Sequence, residues 1–264
     1  MKSWFQDFFP QIPIIFSIGN NDVMIHDALA SKSSIDLATL GAVWMNDYPK
    51  EQALSFERNG YFSLWIRERV KVITLNTLYF FKNNFLAESC KSSLSPGSTQ
   101  LKWLESEFQE MQYKGAKALI IGHIPPLELF YFENCLEPLL KLFSEYSSLI
   151  SFQAYGHVHI DDILILKYAR IPIGFALVSP AISPVFNPSY RIYEIDEIDG
   201  SLLDYHQFYA QLKAETFEFV KEYSLKEAFG SGNLTIEYFI NIKLQELRNS
   251  SMRIRRKRYR KVRY

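Results

Sequence analysis

The sequence predicts an α/β fold of two mixed sheets packed face to face with helices outside, and three observations carry that prediction. Apolar runs at Ile14-Ile15-Phe16-Ser17-Ile18, at Ala118-Leu119-Ile120-Ile121 and through Leu149, Ile150, Phe152 and Ala154 each stop at a glycine followed by Asn or His. Such runs read as buried strands ending on one rim, the carboxyl edge where α/β sheets place their ligands. Amphipathic patterns separate the later strands, so the first half reads as βαβ, whereas after His159 the strands follow one another closely and read as mostly antiparallel. With 264 residues, 48% hydrophobic and 16% aromatic, the chain can bury a sizeable core, and composition excludes the disordered class.

Taken in order, residues 12–18 are predicted as a buried strand, and Ile35, Leu37, Leu40 and Val43 are spaced as one face of a short helix. Residues 61–66 and 70–76 form an antiparallel pair turned by Arg67-Glu68-Arg69, and residues 80–96 are loop. Ser98 or Thr99 caps a helix whose Leu101, Leu104, Phe108 and Met111 share one stripe and which Gly115 stops. That helix is expected to cover the sheet between strands 70–76 and 117–121. A second amphipathic helix, 133–146, joins the strand ending at His123 to the one ending at His157. Strands then follow at 162–168, 174–179, 190–196 and 202–209, with Asp199-Gly200 as a hairpin turn, and a last helix at 235–248. The domain reading is one folded unit over residues 1–248 and a basic, disordered tail over residues 249–264.

The net charge of zero is a sum of unlike parts. Eight of the 29 basic residues lie between Arg253 and Arg263, which leaves 21 against 29 acidic residues before them, a net of −8. The tail suits polyanions such as polyphosphate, nucleic acid or an acidic membrane through counterion release, or is simply a solvated extension. Cys90 and Cys135 are the only cysteines and neither belongs to a metal-type CxxC, so at most one intrachain disulfide is possible; in a reducing compartment they are two small apolar side chains. No stretch reaches the ~20 apolar residues of a membrane helix, and the N-terminus, broken by Pro13 and lacking a basic start, does not read as a signal peptide.

Asn20, His123, His157 and His159 offer neutral N and O donors, suited to Zn, Mn or Fe and unsuited to a thiolate site. A lone histidine is more often a hydrogen-bonded core or surface residue than a ligand. Here three of five histidines stand in loops that a glycine opens at strand ends, which favours a shared centre. Two ions ~3.5–4 Å apart would generate hydroxide at neutral pH and clamp both oxygens of a phosphoryl transfer.

Gly19-Asn20-Asn21-Asp22, Gly122-His123-Ile124-Pro125-Pro126 and Gly156-His157-Val158-His159 resemble the three C-terminal motifs of the calcineurin-like metallophosphoesterases, and Gly-His-Ile-Pro-Pro resembles their acid sphingomyelinase-like branch. Within it the chain is most similar to the fungal vacuolar endopolyphosphatase family. The similarity lies in Ser17-Ile18-Gly19-Asn20-Asn21-Asp22-Val23 with His26, in Leu75-Asn76-Thr77-Leu78-Tyr79, in Asn187-Pro188-Ser189-Tyr190-Arg191, in Leu203-Asp204-Tyr205 and in Glu222-Tyr223-Ser224. It runs from about Ile12 to about Leu247. The resemblance implies part of a four-layer α/β metallophosphoesterase sandwich.

By that resemblance Asn20, His123 and His157 hold one metal and His159 the other, of two divalent ions (Zn, Mn, Mg, Co or Fe) in the full-length family. The family's Asp-x-His and Gly-Asp motifs do not precede Gly19, and Asp204-Tyr205-His206 sits where the family has no ligand. The chain is therefore expected to be the C-terminal part of a longer protein or a degenerate copy, binding at most one ion weakly. Asn21 stands where most of the superfamily has a proton-donating His, and an amide cannot serve as an acid, which favours a phosphoanhydride substrate over an alkoxide-leaving one. Asn21 is then a substrate contact and His26 a replacement acid, against an ordinary loop histidine; Arg191 is a phosphate contact or a surface charge. The implied address is the vacuole lumen or secretory pathway, where a Cys90–Cys135 disulfide is plausible. Three functions follow: a metal-dependent hydrolase of internal polyphosphate bonds, active if the full-length protein supplies the missing motifs; a sphingomyelinase-like phosphodiesterase; or a non-catalytic polyanion-binding remnant.

Overall fold

The computed structural model describes residues 2–30, 34–183, 186–212 and 216–248. The basic tail, residues 249–264, lies outside them. Three helices come first: α1 (Lys2–Phe8), α2 (Ile35–Trp44) and α3 (Lys50–Asn59). They lead into β1 (Phe62–Arg67) and β2 (Val70–Thr74), then α4 (Pro96–Lys114), β3 (Lys117–Ile121), α5 (Glu133–Glu145), β4 (Ile150–Tyr155), β5 (Asp162–Tyr168) and β6 (Ile171–Val178). The chain closes with β7 (Ser189–Ile195), β8 (Leu202–Ala210), β9 (Phe219–Ser224), α6 (Leu225–Phe229) and α7 (Ile236–Arg248).

Six strands form one mixed sheet in the order β1-β2-β3-β4-β6-β5. Its centre, β2 to β3 to β4 to β6, is parallel, and β1 and β5 close the edges as antiparallel strands. The second sheet, β7-β8-β9, is wholly antiparallel. The two-sheet α/β architecture is thus the expected one, but strands 162–168 and 174–179 belong to the first sheet and the second is not mixed. The chain places β5 and β6 beside β4 because their apolar residues serve both faces of a covered sheet.

Period-two alternation along the central strands divides the core. Ile73, Ala118, Ile120 and Ala176 face Leu101, Leu104, Phe108 and Met111 of α4 and Cys135, Leu136, Leu139 and Phe143 of α5. Val70, Val72, Leu119, Phe152, Phe175 and Leu177 face the other way, onto Leu202 and Tyr205 of the second sheet and Phe239 and Ile242 of α7. The stripe on α4 is the expected one and Gly115 ends the helix at φ 62°, but its cap is Ser95, whose hydroxyl accepts from the Ser98 N–H at 3.2 Å with Pro96 at the first helical position.

Three expectations are corrected. Residues 12–18 make no strand: Ser17 Oγ donates to the Leu75 carbonyl at 3.2 Å and the Tyr48 hydroxyl to the Ile14 carbonyl, so side chains instead of a ladder seat the run. In α2 the buried positions are Leu37 and Gly41, with Ile35 and Val43 at the surface, because Gly41 packs against Glu57 of α3 too closely for a Cβ. The β7–β8 turn runs from Asp196 to Ser201, where Asp196 Oδ1 accepts from Ile198 and Asp199 and Gly200 takes φ 67°. Helix α3, strand β9 and the Cys90–Cys135 disulfide, which ties the loop before α4 to α5, complete the frame.

Candidate metal-binding site

The carboxyl ends of β3 and β4 and the loop after residue 18 meet at one place. His123 lies two residues beyond β3 and His157 two residues beyond β4, and the Gly156 N–H donates to the His123 carbonyl at 2.9 Å, which locks the two loops together. Asn20 is 5% exposed, and its Oδ1 lies 2.6 Å from His123 Nε2 and 3.4 Å from His157 Nδ1. The imidazoles of His123 and His157 stand edge to face with centroids 5.2 Å apart. Three of the four residues expected to gather therefore share one atom, the Asn20 amide oxygen. His159 is near enough to bear electrostatically on both other imidazoles but makes no hydrogen bond to them.

Each part has a local cause. Gly19 lets the ring approach closely: a Cβ there would sit 3.0 Å from His123 Nδ1, so the imidazole lies against bare backbone and would have to shift to admit one. Gly122 is required, since a Cβ would come within 2.8 Å of Thr77 and Tyr155. The loop after β3 is fixed from both sides: the Ile124 N–H donates to Thr77 Oγ1 at 3.0 Å, and the buried Tyr131 hydroxyl donates to the Ile124 carbonyl at 2.7 Å. Phe81 and Phe130 pack their rings edge-on against His157 at 5.4 and 5.1 Å. His157 and His159 both hold left-handed backbone, at φ 66° and 55°, which costs of order 1–3 kcal/mol each and is tolerated where surroundings over-determine it.

Burial, reinforced by the neighbouring His157 and His159, pushes the His123 imidazole down to about 4. Burial also lowers His157, with Asp27 pulling the other way. Neutral imidazoles beside an amide oxygen, held apart from thiolate and in a partly desolvated pocket, form a donor set that fits a divalent cation of the zinc or manganese type.

Asp27 is the residue that sequence reasoning missed. It sits at φ 68° in the turn closed by the Ile25–Ala28 bridge, and its Oδ1 accepts from Asn20 Nδ2 at 2.7 Å. His26 stands beside it, with Nε2 3.1 Å from Asn20 Nδ2 and Nδ1 3.3 Å from Asp27 Oδ1, and its side chain is 64% exposed. Asn21 is exposed next to Asn20. Asp22 instead closes its own loop, accepting from the Gly19 N–H at 2.8 Å.

Arg191 is neither a surface charge nor open to the site. Its guanidinium is buried, pairs with Asp161, donates to Gln207 Oε1 at 2.7 Å and lies 4.4 Å above the Tyr205 ring. The carboxylate of Asp161 holds it well above the usual arginine range despite burial. Asp161 also accepts from the Tyr223 hydroxyl, so this pair ties the second sheet to the loop that carries His159. Among the described residues, Glu194, Asp204 and His206 bring one ligand-type atom each within 4.8 Å on β7 and β8. His206 Nε2 is paired to Glu194 at 2.7 Å, and Asp204 Oδ1 accepts from the Tyr205 and Lys226 N–H groups.

No protein-family model matches the chain. By sequence it is similar to an endopolyphosphatase of Yarrowia lipolytica, 35% identical over 161 residues, which are 61% of this chain and 22% of that protein. It is similar to an endopolyphosphatase of Schizosaccharomyces pombe, 30% identical over 62% of this chain and 29% of that protein. A sphingomyelinase phosphodiesterase C of Dictyostelium discoideum is 28% identical over 89% of this chain and 58% of its own length. The chain thus spans between about a fifth and three-fifths of these relatives. A solved dimetal phosphatase of Danio rerio overlaps 56% of this chain and 54% of its own at 10% identity and a TM-score of 0.35, too loose to bear on function.

Proposed function

We propose, from this relationship to endopolyphosphatases and a sphingomyelinase phosphodiesterase among the calcineurin-like metallophosphoesterases, that the chain is the C-terminal part of a metal-dependent phosphohydrolase acting on internal phosphoanhydride bonds of polyphosphate. The observation that carries this reading is the convergence of His123 Nε2 and His157 Nδ1 on Asn20 Oδ1 at 2.6 and 3.4 Å. A divalent cation at such a set supplies positive charge to phosphoryl oxygens and acidifies a bound water. In the chain itself, Asn20, His123 and His157 would hold that cation and His159 would serve a second one, for which Asp-x-His and Gly-Asp motifs of a full-length protein would supply the remaining ligands. The aromatic rings of Phe81 and Phe130 hold the His157 imidazole and exclude water from its back. Exposed Asn21 offers its amide to the phosphoryl oxygens and carries no proton to the leaving group, which suits cleavage of P–O–P, where a stable phosphate anion departs.

The Cys90–Cys135 disulfide supports an oxidising compartment such as a vacuole lumen, and among the described residues no helix is long and apolar enough to cross a membrane. Residues 1–248 form the phosphoesterase unit, and the tail of residues 249–264 binds polyanions. The second reading is a sphingomyelinase-like phosphodiesterase, favoured by the greater length shared with the Dictyostelium relative. The test is direct comparison, in the full-length protein, of long-chain polyphosphate with a chromogenic phosphodiester. Faster release from polyphosphate is expected. Turnover of the diester alone would establish the second reading instead.

A further inference from the structure

We infer that Asp27, with His26, is a positioning pair that fixes the orientation of the Asn20 side-chain amide, so that its oxygen and not its nitrogen faces the two buried imidazoles. The inference rests on the cation site proposed above but concerns a feature of the protein that exists without the cation. An asparagine amide has two faces of nearly equal shape and opposite chemistry: the oxygen accepts and can ligate, whereas the NH2 only donates and cannot. For Asn20 to serve a cation, something must break that symmetry. A carboxylate accepts only, so the Asn20 atom 2.7 Å from Asp27 Oδ1 must be the NH2 group. Its second hydrogen then points to His26 Nε2 at 3.1 Å, which must accept, leaving the hydrogen of His26 on Nδ1, 3.3 Å from the same Asp27 oxygen. Both amide hydrogens are spent on this side, and the oxygen is left to His123 and His157.

The backbone supports the arrangement. The Asp27 N–H donates to the Asn20 carbonyl at 3.1 Å, and the Ala28 N–H closes the turn onto the Ile25 carbonyl at 2.9 Å. Buried Asn84 anchors the far side by accepting from the Leu29 N–H at 3.1 Å and donating to the Leu29 carbonyl at 3.1 Å. Asp27 adopts φ 68°, a conformation that Asn, Asp and Gly accept far more readily than other residues. On this account His26 serves to hold the first ligand, its Nε2 turned to the Asn20 amide nitrogen.

Two substitutions separate orientation from charge and from strain. Asp27→Gly removes the acceptor while tolerating the left-handed backbone, and Asp27→Asn keeps an accepting oxygen while removing the charge. Zinc affinity of the chain, measured by competition with a chromogenic chelator, is expected to fall ~10- to 100-fold in Asp27→Gly, the range found when a partner that orients a metal ligand is lost. It is expected to stay within about threefold of the parent in Asp27→Asn. Equal affinity in Asp27→Gly and the parent overturns the inference. So does an Asp27→Asn variant as weak as Asp27→Gly, because that assigns the effect to charge.

A second readout is independent of the cation. In the metal-free chain the Asn20 side-chain amide protons should show two resolved NMR signals protected from exchange, with protection lost in Asp27→Gly and kept in Asp27→Asn. A parent chain that binds no zinc but keeps this protection removes the proposed cation site and leaves the orienting role standing; an unprotected amide in the parent removes the orienting role.

Discussion

Single atoms set the geometry around Asn20, whose amide oxygen lies 2.6 Å from His123 Nε2 and whose amide nitrogen lies 2.7 Å from Asp27 Oδ1. Gly19 was legible as part of a motif, but its reason is spatial: the imidazole of His123 occupies the place of a side chain. Gly19→Ala is expected to push that ring aside, destabilising the chain by ~1–3 kcal/mol as overpacking does and weakening zinc binding. Unchanged melting and unchanged affinity would contradict the contact. His159 holds a left-handed backbone at φ 55°, which a non-glycine residue adopts only at a cost. His159→Gly should leave the metal-free chain as stable or up to ~1 kcal/mol more stable, as chemical denaturation would show; a loss of more than 1 kcal/mol would give the side chain a structural role. His123, His157 and Asn20 stood out in the sequence because each follows a glycine after an apolar run. Asp27 did not, since a carboxylate in a two-residue turn has no pattern, and only folding brings it to Asn20. Arg191 was visible as a charge, but its partner Asp161 is distant in sequence and nothing in the local pattern separates a buried ion pair from a surface arginine.

At the scale of elements, the parallel strands and the long α4 were readable because burial repeats at fixed periods. The run at residues 12–18 misled because hydropathy alone shows neither a ladder partner nor burial: Ile18 is fully buried but Ile12 is 59% exposed. Ser95 lies outside the helical stripe, so the cap was read three residues late; Ser95→Ala is expected to cost ~1 kcal/mol by denaturant unfolding. Replacing both Cys90 and Cys135 with serine removes a link across 45 residues and should lower stability by ~2–4 kcal/mol, the same loss appearing when the parent is reduced. Alkali tests the packing of α4 on the segment before β1. Tyr61 is buried against Trp103, and burial pushes its phenol up to about 12. The unfolded phenol ionises near 10, so the folded chain keeps its proton where the unfolded chain loses it, and stability falls as pH rises from 10 towards 12 by about 3 kcal/mol. Tyr61→Phe should show a shallower alkaline decline; an identical decline would mean that Tyr61 is not the group responsible.

For the whole molecule, the rim was legible at the ends of β3 and β4, which lie side by side in one parallel sheet, whereas the third run, residues 12–18, reaches it without forming a strand. The sequence did not show how the later strands divide between two sheets, since that depends on which faces are covered. The charge distribution sets a further expectation. The chain before the tail carries a net of −8 and would repel a polyanion, so removal of residues 249–264 should weaken polyphosphate binding and flatten its salt dependence. Binding and salt slope unchanged by the truncation would take the polyanion role from the tail.

The central claim, that Asn20, His123 and His157 together form a cation site, is tested most directly by equilibrium dialysis of the chain against zinc at neutral pH. One ion per chain is predicted, lost in His123→Ala and in Asn20→Ala while the far-ultraviolet circular dichroism of both variants stays that of the parent. Zinc retained undiminished in a folded Asn20→Ala, His123→Ala double variant would contradict it.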